Sequence, residues 1–240
     1  MLLSIHISKT AGNSFREALM NSYGAERVLR DYGDWVGFDE PFANRRREQR
    51  HAAMRVRRDE LIDKYDVIHG HFVADKYIGL FPEAEFISFF RDPCQQIVSH
   101  WRYQSALTVR VSDVNKEEHA EVRYWRELTP SLEEYITWPF YRNHQSQFLG
   151  SLSVDDLAFV GVYEQYGKTL DHFRARFGRD LGPPHYAPVT KREAPPFEIS
   201  DRVRRLVEKH FPADIELYER VKERFAVQDH ALSESSVASR

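Results

Sequence analysis

Leu2-Leu3-Ser4-Ile5-His6-Ile7-Ser8-Lys9-Thr10-Ala11-Gly12-Asn13-Ser14-Phe15 is an apolar run that breaks into small and polar residues and then resumes with helical spacing. Leu2 to Ile7 is far too short to span a membrane and lacks the basic flank and cleavage site of a signal peptide, so it reads as a buried strand. Phe15, Ala18 and Leu19 fall at i, i+3 and i+4, one helix face, and Asn13 is expected to cap that helix. A strand, a tight loop and a helix in immediate succession form the unit from which parallel α/β sheets are built.

Three further runs carry the same signature: Tyr65 to His69, Glu85 to Phe90 and Leu157 to Val162. Asp92-Pro93 supplies a cap and a first-turn proline ahead of the stripe Ile97, Val98 and Trp101. Tyr166, Leu170, Phe173 and Phe177 share a face that Gly178 ends. Ser200 opens a pattern through Val203, Leu206 and Val207, Pro212 interrupts it, and Ile215 to Phe225 resumes it. The expected fold class is α/β, a mostly parallel central sheet covered by helices on both faces. Ligands of such sheets bind beyond the carboxyl ends of the strands, here the loops Ser8 to Asn13, Gly70 to Val73, Arg91-Asp92 and the segment after Val162. Residues 1–226 are expected to form a single domain, and 227–240, which lack an apolar face, to fray.

Composition sets the outer bounds. The 240 residues are 42% hydrophobic, enough for one substantial core without cross-links. Cys94 stands alone, which excludes an internal disulfide and a cysteine-based metal site and suits a reducing compartment. No window approaches the run of about 20 apolar residues that crossing a bilayer requires. A cytoplasmic protein without a membrane span is therefore expected. The net charge of −3 conceals seven arginines between 45 and 58. Glu48, Asp59 and Glu60 interrupt that stretch and no aromatic residues interleave for base stacking, so it reads as a solvated helix face rather than a nucleic-acid surface; attraction of an acidic acceptor is its other reading.

Three segments carry chemistry. From Ser8 to Ser14 the backbone amides and a helix N-terminus converge on an anion-sized space, and Lys9 adds a mobile positive charge. The lysine precedes the glycine, so the GxxxxGK[ST] order of a magnesium-nucleotide loop is absent; an ordinary strand-to-helix turn with a solvated lysine is the plainer reading. Arg91-Asp92-Pro93, then Ser99-His100-Trp101, sets a guanidinium fork and a hydroxyl where they could share one phosphate. Alternatively Arg91 is a surface ion-pair partner and Ser99 a neutral helix residue. Asp66 to His71 runs a strand out to the same rim, with His69 and His71 on one side if the strand continues. Imidazole suits a general base at neutral pH, although a strand-end histidine is more often a structural hydrogen-bonding residue.

Together these segments resemble the signatures of the PAPS-dependent sulfotransferase superfamily, PAPS being 3′-phosphoadenosine 5′-phosphosulfate, and in particular its glycan-type branch related to uronosyl 2-O-sulfotransferases. His6 to Phe15 resembles the family's H-I-P-K-T-[AG]-G-T-S, with Ser8 at the usual proline and Asn13 at the usual threonine. Arg91-Asp92-Pro93 with Ser99-His100-Trp101 resembles its R-D-P and S-H-[YW], and His69-Gly70-His71 its H-G-H. Asn143 to Leu149 resembles an N-x-Q-[TS]-x-x-L segment and Val160 to Glu164 a V-G-x-x-E turn; with Asp214 to Tyr218 they extend the likeness from residue 5 to about residue 225.

The resemblance implies a P-loop-like parallel sheet. It also implies that Lys9, Thr10, Ala11, Gly12, Asn13 and Ser14 cradle the 5′-phosphosulfate, and that Arg91 and Ser99 hold the 3′-phosphate. His71 inherits the role of base with His69 in support, Lys9 stabilises the departing 5′-phosphate, and Lys191 and Arg192 belong to a basic loop over the nucleotide. The product is adenosine 3′,5′-bisphosphate and no metal is required. The acceptor is a hydroxyl of a glycan or small molecule, such as an acidic glycan or a secondary metabolite, and residues 104–130 with Trp125 are expected to form a lid over it. Two other classes are carried: a P-loop nucleotide kinase or hydrolase, which predicts magnesium-dependent ATP binding, and a non-catalytic sulfotransferase-like module, which predicts salt-sensitive binding of anionic ligands without turnover.

Overall fold

The computed structural model describes residues 1–34, 41–110, 129–184 and 198–238. In chain order these form β1 (Leu2–Ile5), α1 (Gly12–Tyr23), β2 (Val28–Arg30), α2 (Pro41–Val56), α3 (Arg58–Lys64), β3 (Val67–Gly70), β4 (Glu85–Phe90) and α4 (Pro93–Arg110). They continue with α5 (Leu132–Thr137), α6 (His144–Leu149), β5 (Phe159–Val162), α7 (Tyr166–Phe177), α8 (Asp201–His210) and α9 (Pro212–Ala238). The five strands make one sheet in the order β2-β3-β1-β4-β5, with every pairing parallel. The four expected strands are present; β2 joins them at the edge.

Strand alternation divides the core between the two faces. Leu3, Ile5, Ile68, Phe90 and Val160 pack toward Phe148 of α6 and Val221 and Phe225 of α9. Leu2, Val67, Ile87, Phe89 and Phe159 face Phe15 and Leu19 of α1 and Leu170 and Phe173 of α7. Both faces are therefore apolar, as a parallel sheet buried on two sides requires. A third cluster, Ile97, Val98, Tyr135, Val203, Val207 and Phe211, packs α4, α5 and α8 together. Among the described residues no helix is long and apolar enough to cross a membrane.

One local expectation changes. Asn13 is not the cap of α1: the helix already begins at Gly12, Ala11 holds the N-cap position in a left-handed conformation, and the Asn13 carboxamide oxygen instead accepts from Arg16 Nη1 at 3.4 Å. The last helix, α9, runs to Ala238. Polar side chains of α9 and α7 tie these helices to β5. Gln228 donates to the Val160 carbonyl (3.0 Å) and accepts from the Val160 amide (3.2 Å), while the Thr169 hydroxyl does the same for Val162. These side chains satisfy the outer edge of β5, beside which no strand lies among the described residues.

The strand order also locates the crevice. From β1 the chain runs through α1 to β2 on one side, and from β4 it continues to β5 on the other. Adjacent strands whose connections leave in opposite directions open a cleft beyond their carboxyl ends. That switch point lies between β1 and β4, where Ile5 is in register with both Ser88 and, across β3, Gly70. The Ser8–Ser14 loop, Arg91 and His71 thus leave the sheet side by side.

Candidate functional site

The turn after β1 is built from outside inward. Three successive carbonyls are each engaged by a side chain: Ile7 by the Thr10 hydroxyl (2.8 Å), Ser8 by Gln96 Nε2 (3.0 Å) and Lys9 by Arg91 Nη1 (3.2 Å). Because the peptides are all trans, the N–H groups of Ser8, Lys9 and Thr10 point the opposite way. Lys9 and Ala11 adopt φ of 69° and 77°, left-handed conformations that cost a residue with a Cβ about 1 kcal/mol or more each. Such alternating conformations form concave arrays of amides suited to anions.

Gly12 is required by space. A Cβ there would lie 1.8 Å from His6 Cδ2, so the first turn of α1 can pass the His6 ring only without a side chain. His6 in turn stacks on His71 with ring centroids 4.2 Å apart and on His69 at 5.1 Å. His71 Nδ1 donates to the His6 carbonyl oxygen, which leaves Nε2 with its lone pair. His69 Nδ1 pairs with the Ser4 hydroxyl at 2.9 Å. Burial is the main cause that lowers all three imidazoles: His71 falls to about 4 and His69 to about 3, and His6 lies well below its ordinary value with His71 as the next contributor. The stack is neutral at pH 7.

A cavity of about 320 Å³ opens against these segments, lined by Ser8, Lys9, Ala11, Gly12, Asn13 and Ser14 from the first loop, His6 and His71 from the histidine stack, and Arg91, Ser99, His100, Tyr103 and Tyr163. Its charges are positive. Burial first, and then the neighbouring Arg91, bring the Lys9 ammonium down to about 8. Its Nζ lies 4.2 Å from the centre of the Tyr103 ring. The Arg91 guanidinium lies 4.0 Å from the centre of the Tyr163 ring, a Glu164 carboxylate oxygen is 4.0 Å from Nε, and that buried Nε has no hydrogen-bond partner among the described residues. Two cations with so little compensation, side by side in one cavity, favour a polyanion.

The structure therefore gathers Lys9, Ala11, Gly12, Asn13, Ser14, His71, Arg91 and Ser99 around one cavity. Thr10 is the exception: its buried hydroxyl is taken by the Ile7 carbonyl, and it shapes the turn rather than lining the cavity. Lys191 and Arg192 lie outside the described residues, as do 111–128 of the expected lid, Trp125 included. Tyr103, Tyr163, His100 and Gln96 were not singled out from the sequence as site residues. Gln96 and His100 fall within the R-D-P to S-H-W span, and Tyr163 within the Val160–Glu164 segment. No protein-family model and no curated protein matches this sequence.

Proposed function

We propose that this chain is a sulfotransferase of the P-loop-like sulfotransferase fold, moving a sulfuryl group from PAPS to the hydroxyl of a glycan or small molecule. One observation carries the reading: the Lys9 loop, the Arg91/Ser99 pair and His71, drawn from three separate strand ends, share a single cavity. A nucleotide with anionic groups at both its 5′ and 3′ positions answers both cationic walls. The five-stranded parallel order, with the first loop at the central switch point, supports the same fold.

In this reading the amides and ammonium of the first loop hold the 5′-phosphosulfate, and Arg91 with Ser99 holds the 3′-phosphate. The acceptor oxygen forms a bond to sulfur as the bond from sulfur to the 5′-phosphate oxygen breaks. The acceptor's proton passes to His71 Nε2, the nitrogen left free by the bond from Nδ1 to the His6 carbonyl. Lys9 neutralises charge growing on the departing phosphate. By analogy with phosphoryl transfer, alignment and charge stabilisation provide most of the acceleration in such a loose transition state.

The test is incubation with sulfur-labelled PAPS and a panel of glycans and small hydroxylated molecules, with calorimetric titration of adenosine 3′,5′-bisphosphate alongside. A labelled product and bisphosphate binding are expected. Magnesium-dependent ATP binding without bisphosphate binding would assign a nucleotide kinase or hydrolase instead. Bisphosphate binding with no product from any acceptor would leave an anion-binding module.

A further inference from the structure

The turn that presents Arg91 is held by groups from elsewhere in the chain. Gln145, 54 residues away and 1% exposed, reads both backbone groups of Arg91: its Oε1 accepts from the Arg91 amide at 3.1 Å and its Nε2 donates to the Arg91 carbonyl at 2.8 Å. A carboxamide is the side chain that offers one acceptor and one donor at this spacing, so it continues the ladder where β4 ends. The next amide, Asp92 N–H, donates to Glu164 Oε1 at 3.1 Å, and Glu164 Oε2 accepts from the Tyr218 hydroxyl at 2.8 Å.

Gln145 is itself fixed by a reciprocal pair of caps. The fully buried Asp214 of α9 accepts from the amides of Gln145 (3.0 Å) and Ser146 (2.8 Å) at the start of α6. In return Asn143 Oδ1, ahead of α6, accepts from the amides of Ala213 (3.0 Å) and Asp214 (3.4 Å) in the first turn of α9. Each helix start is thus closed by a side chain of the other.

From this we infer that Gln145 is a positioning residue that sets selectivity for a 3′-phosphate by fixing the backbone from which Arg91 projects, with Asp214 and Asn143 holding Gln145 in place. The inference rests on the nucleotide reading given above. A guanidinium discriminates through the fixed geometry of its fork, so the direction of the Arg91 Cα–Cβ bond decides whether the buried Nε, which has no partner among the described residues, meets an oxygen. Gln145 does not itself line the cavity, and its bonds reach the lining through the backbone of Arg91.

The experiment compares the affinities of adenosine 3′,5′-bisphosphate and AMP by calorimetry in the full chain, in Gln145→Met and in Asp214→Asn, at a temperature below each variant's melting transition. Gln145→Met keeps the side chain's length and removes both bonds to Arg91; Asp214→Asn keeps one acceptor and leaves Gln145 and Arg91 chemically unchanged. The bisphosphate-to-AMP preference should fall about tenfold in Gln145→Met, the scale of one weakened charge-assisted contact between Arg91 and the 3′-phosphate, and less in Asp214→Asn, with AMP affinity unchanged in both. An unaltered preference in both folded variants overturns the inference, as does an equal loss for both nucleotides, which would give Gln145 a purely structural role. A wild-type chain with no preference for the bisphosphate removes the nucleotide reading, and this inference with it.

Discussion

Arg91 Nη1 donates to the carbonyl oxygen of Lys9 at 3.2 Å, joining two loops 82 residues apart in the chain. The bond sets one cation against the loop that carries the other. It also explains why the two do not act independently: Arg91 is one of the two causes that lower the Lys9 ammonium. Bringing like charges together is unfavourable in the empty cavity and becomes favourable when an anion enters.

Arg91→Ala should therefore weaken the bisphosphate more than AMP, since the 3′-phosphate loses its fork while the 5′ loop keeps Lys9. A loss of about tenfold or more in preference is expected from removal of a charge-assisted contact. Arg91→Lys should recover little of it, because an ammonium neither lies flat on Tyr163 nor reaches two oxygens at once. Calorimetry of both nucleotides measures the effect, and equal losses for the two would remove Arg91 from the 3′ end.

The Lys9 ammonium gives binding an alkaline limb. Its proton is lost from the empty cavity at about 8, lowered first by burial and then by Arg91. A bound polyanion favours the charged form, so the value in the complex is higher and binding takes up a proton between the two. Affinity for the bisphosphate should accordingly stay level from pH 7 to about 8 and then fall, by up to tenfold per pH unit, until the value of the complex is reached. Lys9→Arg, charged throughout, should remove that limb. A titration series from pH 7 to 9.5 that stayed flat for the wild type would refute the assignment.

His71→Ala should lower turnover by roughly 10²- to 10⁴-fold and leave bisphosphate affinity nearly intact, the pattern of a lost general base. The sign of the acid limb follows from burial, which lowers the imidazole to about 4 against the opposing bond to the His6 carbonyl. Since kcat/KM reports the free enzyme, it should hold level from neutral pH to about 5 and decline as His71 becomes charged near 4. A donor anion beside the ring favours imidazolium, so the limb in kcat should lie at higher pH. Undiminished turnover in the alanine variant would exclude His71 as the base.

What the sequence made legible is what depends on local pattern. The strand Glu85–Phe90 and the start of α4 follow from an apolar run closed by Asp92-Pro93, and Asp92 does cap the helix, its Oδ1 accepting from Gln95 N–H at 2.9 Å. The three residues of β2 are too few for an alternation to register, and their place is set by pairing with β3. Asn13 carries the composition of a cap, yet the helix begins one residue earlier, at Gly12, where the His6 ring occupies the space a side chain would need. Gln145 and Asp214 lie in segments noticed only for their register. Their bonds join residues 54 to 69 positions apart, beyond any periodicity.

That same contact between Gly12 and His6 gives the last prediction. Gly12→Ala places a methyl 1.8 Å from a ring that is stacked on both His71 and His69, so the ring cannot yield without disturbing the candidate base. The cost should be at least the about 1–3 kcal/mol typical of overpacking, read as a lower melting temperature, and turnover should fall along with it. Because φ at Gly12 is not positive, the penalty comes from crowding rather than backbone conformation. Removing the obstacle should therefore relieve it: Gly12→Ala combined with His6→Ala should be destabilised by less than the sum of the single changes. Strict additivity in thermal or denaturant unfolding would show that the ring does not exclude the methyl, and the steric account of this glycine would fail.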